Sequence, residues 1–490
     1  MTKNAKDHSF PTTLVTPLWG DWHPRRFERS LLPSLLDASN LPAFANMHQT
    51  NWIFFTSAEA RDFLQGLARW DELRAHITPH FEILSASQIG RPIDVQQSIW
   101  SRSLEIVAAE KRHIFFMPPD VVWSRGSLKR IGEEMCKGCD ITIMPWAMRI
   151  ESDGFVPAYE RDGAEEHCIS GRELVRYLLK FPHPLMASHQ TDSDHFTRHP
   201  EIIIEPAKDH GLAMKMLAGS PTVFPPHEIK LNHQKLIDHP GLNMDRVYMP
   251  RSTDDVFAIS LAPGNKDLGM YDRERFFDTT AVAQFLFDYP CSMEKEMVDW
   301  TYLLIADDNN KPEWKRAEAA LDEIADDVTA AKRMLGAWEE IRRHGDYRYT
   351  SELIAMMVQE NIFPDSFKTH DKGLMFLAPN NEFWELVGLK LMDNAIHPDN
   401  NDKLKQFMSE LLFPLQRPMP NLTQNDWTMR PESGDKTVTI AREGGRITLN
   451  GEALTHGILD TREGDLMAFP HSTNEVLSAA RHTLSMQNDD

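Results

Sequence analysis

Short apolar runs separated by helical periodicities organise the first half of the chain. Thr12-Thr-Leu-Val-Thr-Pro-Leu-Trp19, Trp52-Ile-Phe-Phe-Thr56, Phe81-Glu-Ile-Leu84, His113-Ile-Phe-Phe116 and Asp140-Ile-Thr-Ile-Met144 are short, bounded and largely β-branched or aromatic. Each reads as a buried strand, the first one stopping at Pro17. Between them Leu31, Leu32, Leu35 and Leu36, then Phe63, Leu64 and Leu67, then Val95, Ile99, Leu104 and Val107, then Leu128, Ile131 and Met135 recur at helical spacing. Thr56 with Glu59, and Ser170 with Glu173, have the spacing of capping boxes. Such alternation predicts an α/β fold, a Rossmann-type, mainly parallel sheet flanked by helices on both faces.

The pattern then changes. Residues 151 to 168 are polar and acidic and read as a surface loop or hairpin, and Leu174, Val175, Leu178 and Leu179 follow on a helix. Glu201-Ile-Ile-Ile-Glu205 reads as a short strand, and Thr222-Val-Phe-Pro-Pro-His227 as an extended edge segment restricted by its prolines. Beyond about residue 290, Trp314, Ala317, Leu321, Ile324, Val328, Ala331, Leu335 and Trp338 advance by threes and fours, the stripe of a long amphipathic helix begun near Pro312. Further helices are expected at 351–360, 382–396 and 402–413. Phe413-Pro-Leu-Gln-Arg-Pro-Met-Pro420 reads as a stiff connector. Thr437-Val-Thr-Ile440 and Arg446-Ile-Thr-Leu449 flank Glu443-Gly-Gly445, a small β-hairpin unit ahead of a last helix. The expected domains are therefore 1–275, a helical 290–415 and a hairpin-containing 421–490.

Composition narrows the classes. A chain of 490 residues exceeds one compact core, and 41% hydrophobic residues suffice for two or three. Against 52 basic residues stand 73 acidic ones, a formal charge of −21, which opposes non-specific attraction to nucleic acid or anionic membranes. Four cysteines make no disulfide framework, the N-terminus lacks the apolar core of a signal peptide, and no apolar run is long enough to span a bilayer. A soluble, cytoplasmic protein is expected.

Several residues carry possible chemistry. Asp120 leaves the strand at His113, and in open α/β sheets ligands bind beyond the carboxyl ends of the strands; there an acid meets phosphate-bound metal or a ribose hydroxyl, or caps the following helix. Trp19 follows the first strand, where an aromatic stacks on a base or simply packs. His183, His189, His195, His199 and His210, interleaved with acids, combine what metal binding and proton transfer need, but their spacing matches no zinc signature, and solvated loop histidines fit it as well. Cys136 and Cys139 form a lone CxxC without a second pair, and read as ordinary helical cysteines. Asp254 and Asp255 precede another apolar run, facing a cleft or serving as loop charge.

With these pieces assembled, the first 270 or so residues resemble bacterial glycosyltransferases of the nucleotide-diphospho-sugar (GT-A) type. The carriers are Thr16-Pro-Leu-Trp-Gly20, Leu32-Pro-Ser-Leu-Leu36, Asn40-Leu-Pro42, Phe116-Met-Pro-Pro-Asp-Val-Val-Trp-Ser-Arg-Gly-Ser-Leu128, His183-Pro-Leu185 and Ser252-Thr-Asp-Asp255. The resemblance implies a nucleotide-sugar donor bound by Thr16, Pro17, Trp19 and Asp120, and an acceptor hydroxyl. It also implies a divalent metal, manganese or magnesium, on Asp120, although Pro118 replaces the first acid of the family's Asp-x-Asp element. His183 would add a ligand or touch the diphosphate, and Asp254 would take the acceptor's proton if the reaction inverts. A non-catalytic scaffold acting through the helical region, which could also mediate homo-oligomerisation, is the competing expectation.

Overall fold

The structure, a computed structural model, describes residues 9–85, 92–145, 148–163, 168–217, 221–225, 230–231, 237–238, 243–264, 275–289, 294–309, 311–368, 373–387, 401–415, 427–429, 438–443, 446–449, 452–460 and 466–470. The chain divides into two compact units, Met1–Phe277 with Pro290–Leu321, and Asp278–Tyr289 with Asp322–Asp490. The 31-residue helix Lys311–Ile341 contains one of these boundaries.

In the first unit β1 (Thr12–Leu18), β2 (Thr50–Thr56), β3 (Thr78–Ile83), β4 (His113–Phe116), β6 (Ile141–Ile143), β10 (Pro221–Phe224) and β13 (Val247–Tyr248) build one seven-stranded sheet. Its order is β13-β6-β10-β4-β1-β2-β3. All pairings are parallel except those of β10, which runs antiparallel between β4 and β6. The sheet is therefore mainly parallel, as its apolar runs predict. Alternation assigns the faces: Val15, Ile53, Phe55 and Ile114 join one buried cluster with Val95, Ile99 and Val107 of the helix Pro92–Ala109. Leu14, Trp52, Phe54 and Phe115 join another with Leu31, Leu35, Phe44 and Ile131.

Differences from the sequence reading have local causes. β1 continues through Pro17 because Val15 still accepts from Met117 N at 2.9 Å, after which β4 leaves the sheet. Pro17, two residues on, turns its missing N–H to that vacated side. Ser57, not Thr56, caps the helix Ala58–Gln65 by accepting from Ala60 N. The acidic stretch after 151 contains the helix Ser152–Arg161, which buries Phe155, Val156 and Tyr159 in spite of Pro157. The segment at 222–227 supplies the interior strand β10, in which Val223 and Phe224 pair with β4 and Pro225 follows the last paired residue; Pro226 and His227 are outside the described residues.

Two smaller sheets complete this unit. β5 (Val121–Trp123), β14 (Ala258–Ala262) and β7 (Arg149–Glu151) lie beside one another with β14 central, and β8 (Ile202–Pro206), β9 (Gly211–Met216) and β15 (Thr301–Ile305) form an antiparallel trio. A two-residue ribbon pairs β11 (Lys230–Leu231) with β12 (Ile237–Asp238).

The second unit has its own seven-stranded sheet, β17 (Leu412–Leu415), β16 (Gly373–Leu377), β22 (Leu466–Pro470), β21 (Glu452–Asp460), β20 (Arg446–Leu449), β19 (Val438–Glu443) and β18 (Trp427–Met429), in that order. β16 and β17 come from the stretch read as helical, and Phe413 to Leu415 pair with β16 instead of starting a connector. Helices Arg348–Gln359, Asn381–Val387 and Asn401–Glu410 belong to this unit. Phe383, Trp384 and Phe407 pack together. The residues expected in the last helix, and 388–396, lie outside the described ones.

Candidate site at the carboxyl ends of the central strands

Three segments converge beyond β1 and β4. After β1 the chain passes Trp19 and turns at Gly20, whose φ of +69° favours glycine. It then enters the helix Trp22–Arg26, continued by a π-helical stretch, Phe27–Leu31. After β4, Pro118 and Pro119 lead the chain out of the large sheet and into β5, with Asp120 at the junction. β14 then ties β5 to β7: Ser260 is the register partner of both Val121 and Arg149. Leu261 N donates to Asp120 O at 2.7 Å, and Ser260 N donates to Met148 O at 2.9 Å.

Asp120 keeps some solvent-accessible surface but is enclosed by protein on most sides. The hydroxyl of Ser260, 3.5 Å from Oδ2, is its side-chain hydrogen-bond partner. Burial pushes its carboxyl above the usual range, and the charges of His23 and Arg149 with the Ser260 bond draw it back only in part. Burial also lowers the Arg149 guanidinium, against the attraction of Asp120 and Glu201. Glu201 is likewise raised by burial and partly restored by Arg149. No side-chain hydrogen bond or ion pair within the protein engages Arg149 among the described residues. His23 donates from Nδ1 to Trp19 O at 3.2 Å, which leaves Nε2 available. At the same end of the sheet the buried Thr56 hydroxyl lacks a partner. Unsatisfied polar groups inside a fold call for an explanation, and a ligand is one.

The expected residues divide. Trp19 is partly exposed, packs on the core and lies 5.8 Å from the His23 ring; Pro17 stands beside it in β1. Thr16 is fully buried: it accepts from Trp52 Nε1 at 2.9 Å and donates to Met117 O at 2.6 Å, so its hydroxyl knits β1, β2 and the exit of β4. His183 is buried too. It accepts at Nδ1 from Leu185 N (3.1 Å), so Nε2 carries the proton donated to Pro263 O (3.2 Å). Burial keeps it neutral, only partly opposed by that carbonyl, and both ring nitrogens are spoken for. Asp254 lies before the start of β14 (Ala258), whereas Asp120 stands beside Leu261 near its end. Asp254 is exposed and receives Arg172 at 2.9 and 2.7 Å, a guanidinium shared with Asp308 at 3.0 Å. Asp254 is thus not brought together with Asp120.

Other quoted motif residues are structural. Asn40 donates to Ser34 O and Ser124 O at 2.8 and 3.1 Å and accepts from Leu128 N at 3.1 Å, fastening the helix Ser127–Cys136. His189 donates to Leu185 O at 2.8 Å. Cys136 and Cys139 take part in no disulfide among the described residues, and burial pushes the Cys168 thiol up to about 12.

A hard divalent cation needs several oxygen ligands in an electronegative setting. Here Asp120 is flanked by Arg149 and His23, and no group of three or more His, Cys, Asp or Glu placed to hold a metal occurs among the described residues. The donor set expected for manganese or magnesium at Asp120 is therefore not matched. Elsewhere, a cavity of about 480 Å³ is lined by Arg125, Asp162, Glu173, Arg176, Tyr177 and Lys180. Arg125 follows the far end of β5, so this cavity is separate from Asp120. Its two acids are occupied, Asp162 by Tyr177 and Glu173 by Ser170.

Sequence reasoning missed Arg149 and His23, and read Glu201 only as one acid of the histidine cluster. Arg149 stands between buried Met148 and Ile150, and the alternation Met148-Arg149-Ile150-Glu151 was the available signal of a short strand carrying charge on one face.

No family model and no curated protein matches the sequence. Among solved structures, the chain is similar to the apo form of mouse xyloside xylosyltransferase 1, with 15% identity over 31% of this chain and 59% of that one and a TM-score of 0.20. It is also similar to TarS of S. aureus, with 9% identity over 87% and 60% and a TM-score of 0.24. The chain spans about three-fifths of each structure's length. Likeness at these scores transfers neither fold nor activity. No helix among the described residues is long and apolar enough to cross a membrane.

Proposed function

We propose that the protein is a glycosyltransferase that takes a sugar from a nucleotide-diphosphate donor and passes it to an acceptor hydroxyl. The observation that carries the reading is the enclosed, under-partnered Asp120 beyond the carboxyl end of β4, where open α/β sheets bind nucleotides. The motif resemblance adds the donor class. Asp120 accepts hydrogen bonds from donor hydroxyls, Trp19 with Pro17 borders the base, and Thr16 holds the strands that frame them. His183 positions the Pro263 turn. Asp254 can serve as the base of an inverting reaction only after parting from Arg172.

A second reading, a protein that binds such donors without transfer, draws on the engagement of both His183 and Asp254 in structural bonds. One experiment separates the two. Full-length protein is offered a panel of nucleotide sugars while thermal stabilisation and nucleoside diphosphate release are both followed. Transfer predicts release from at least one donor, slowed at least tenfold in Asp120→Ala. Stabilisation without release favours binding alone, and no stabilisation by any donor sinks both readings.

A further inference from the structure

We infer that the donor's diphosphate is neutralised by Arg149, with His23 as second contact, and that donor binding needs no divalent cation. The inference rests on the donor-site reading above. Register fixes where Arg149 stands: it lies opposite Ser260, which lies opposite Val121, the residue after Asp120. Backbone bonds from Leu261 to Asp120 and from Ser260 to Met148 lock the three strands at this level. Neighbouring strands lie about 4.8 Å apart, so Arg149 stands two strands, about 10 Å, from the β5 backbone, a span its long side chain covers, and its charge acts on Asp120. It forms no ion pair there. The guanidinium is held close enough to feel both Asp120 and Glu201, yet none of its five donors is used within the protein among the described residues.

Burying a charge without hydrogen-bonded partners is costly. A planar fork of donors also fits two oxygens of one phosphate. The cost is recovered when an anion arrives. His23 gives its Nδ1 proton to Trp19 O, so from the β1 side Nε2 donates to a phosphate oxygen only in the doubly protonated ring. During transfer, the bond from the sugar's C1 to the outer phosphate oxygen breaks and the electron pair stays on that oxygen. The acceptor oxygen bonds to C1, and its proton passes to a carboxylate or to solvent. Arg149 donates hydrogen bonds where the new charge accumulates, the task otherwise given to a metal. A divalent cation in the same place would be repelled by the guanidinium and have one protein carboxylate to bind.

The test titrates the full-length protein with the diphosphates of uridine, guanosine, adenosine, cytidine and thymidine, by calorimetry, once with chelator and once with manganese or magnesium. The expected result is one diphosphate bound with affinities within threefold of each other under the two conditions. Arg149→Gln should weaken binding at least tenfold in both, and Arg149→Lys by less. Neither variant should lower the melting temperature of the ligand-free protein by as much as loss of a buried ion pair would, since the guanidinium makes no hydrogen bond or ion pair among the described residues. A tenfold loss of affinity on chelation, or wild-type affinity in Arg149→Gln, overturns the inference while leaving the donor site standing. No binding of any diphosphate under either condition overturns the donor-site reading, and this inference with it.

Discussion

Two aspartates mark the opposite ends of the large sheet, and their surroundings differ in nearly every respect. Asp140 sits at the amino end, before β6, next to His113 at the head of β4 and Arg246 at the head of β13. Arg246 donates to its two oxygens at 2.8 and 2.7 Å and His113 Nε2 donates at 3.1 Å. Burial opposes ionisation, but these bonds and charges prevail and hold the carboxyl at about 2. Nearby, Arg112 is also satisfied, donating to Thr13, Thr12 O and Gln49 O. At the carboxyl end, Asp120 has its own backbone N–H and one long side-chain hydrogen bond, the Arg149 side chain has none among the described residues, and burial moves both away from their charged forms. The same residue type is spent on stability at one end and left uncompensated at the other. A fold that keeps unsatisfied charge does so at a site where a ligand completes it.

The sharpest way to break this comparison is to remove each carboxylate in turn. Asp140→Ala removes the anion that Arg246 and His113 both meet, and loss of charge-assisted hydrogen bonds of this kind costs about 2 kcal/mol, read as a fall in denaturation midpoint at neutral pH. Asp120→Asn should leave stability unchanged or raised at neutral pH, because the native state no longer has to ionise a carboxyl that burial disfavours. Equal destabilisation by the two substitutions would abolish the distinction.

Acid titration is the next smaller effect. The Asp140 carboxyl is depressed in the folded state, so the stability it contributes is complete above the unfolded value near 3.8 and is lost as pH falls through about 2. The shift corresponds to about 2 kcal/mol. Asp120 is raised, and its sign is opposite: its ionisation costs stability above its folded pKa, and that cost disappears as pH falls through it. Denaturation curves of the wild type and Asp140→Asn between pH 2 and 6, roughly the range where carboxylates titrate, should therefore converge at the acid end. Curves that stay parallel would remove the linkage assigned to Asp140.

The strands that carry both ends of this contrast were legible in the sequence, and the side-chain partnerships at either end were not. β1, β2 and β4 announce themselves because strands buried on both faces need unbroken apolar runs, and Asp120 stands out as the first acid after one of them. Ser170 with Glu173 forms the expected capping box. The helix at Ser152–Arg161 was hidden because its exposed face is acidic and only Phe155, Val156 and Tyr159 signal the buried one. β10 was hidden because its neighbours β4 and β6 are distant in sequence, and flanking prolines resemble an edge. Arg149 was hidden for the same reason in stronger form. It belongs to no motif, and its meaning arises from Asp120, Glu201, Ser260 and His23, which only the folded chain gathers.

The smallest effect probes the side-chain hydrogen bond that reaches Asp120. Ser260→Ala removes a hydroxyl 3.5 Å from the carboxylate, too long to contribute more than about 0.5 kcal/mol to stability. The substitution should barely move the unfolding midpoint. Its mark is on titration. The serine favours the ionised carboxylate against burial, so its loss raises the Asp120 pKa further. If an ionised Asp120 receives the donor, the acid limb of the pH profile for nucleoside diphosphate release shifts upward in Ser260→Ala, with the plateau rate preserved at higher pH. A lowered plateau with an unmoved limb would make Ser260 a direct contact of the donor, and the carboxylate's isolation would then be only a property of the unliganded protein.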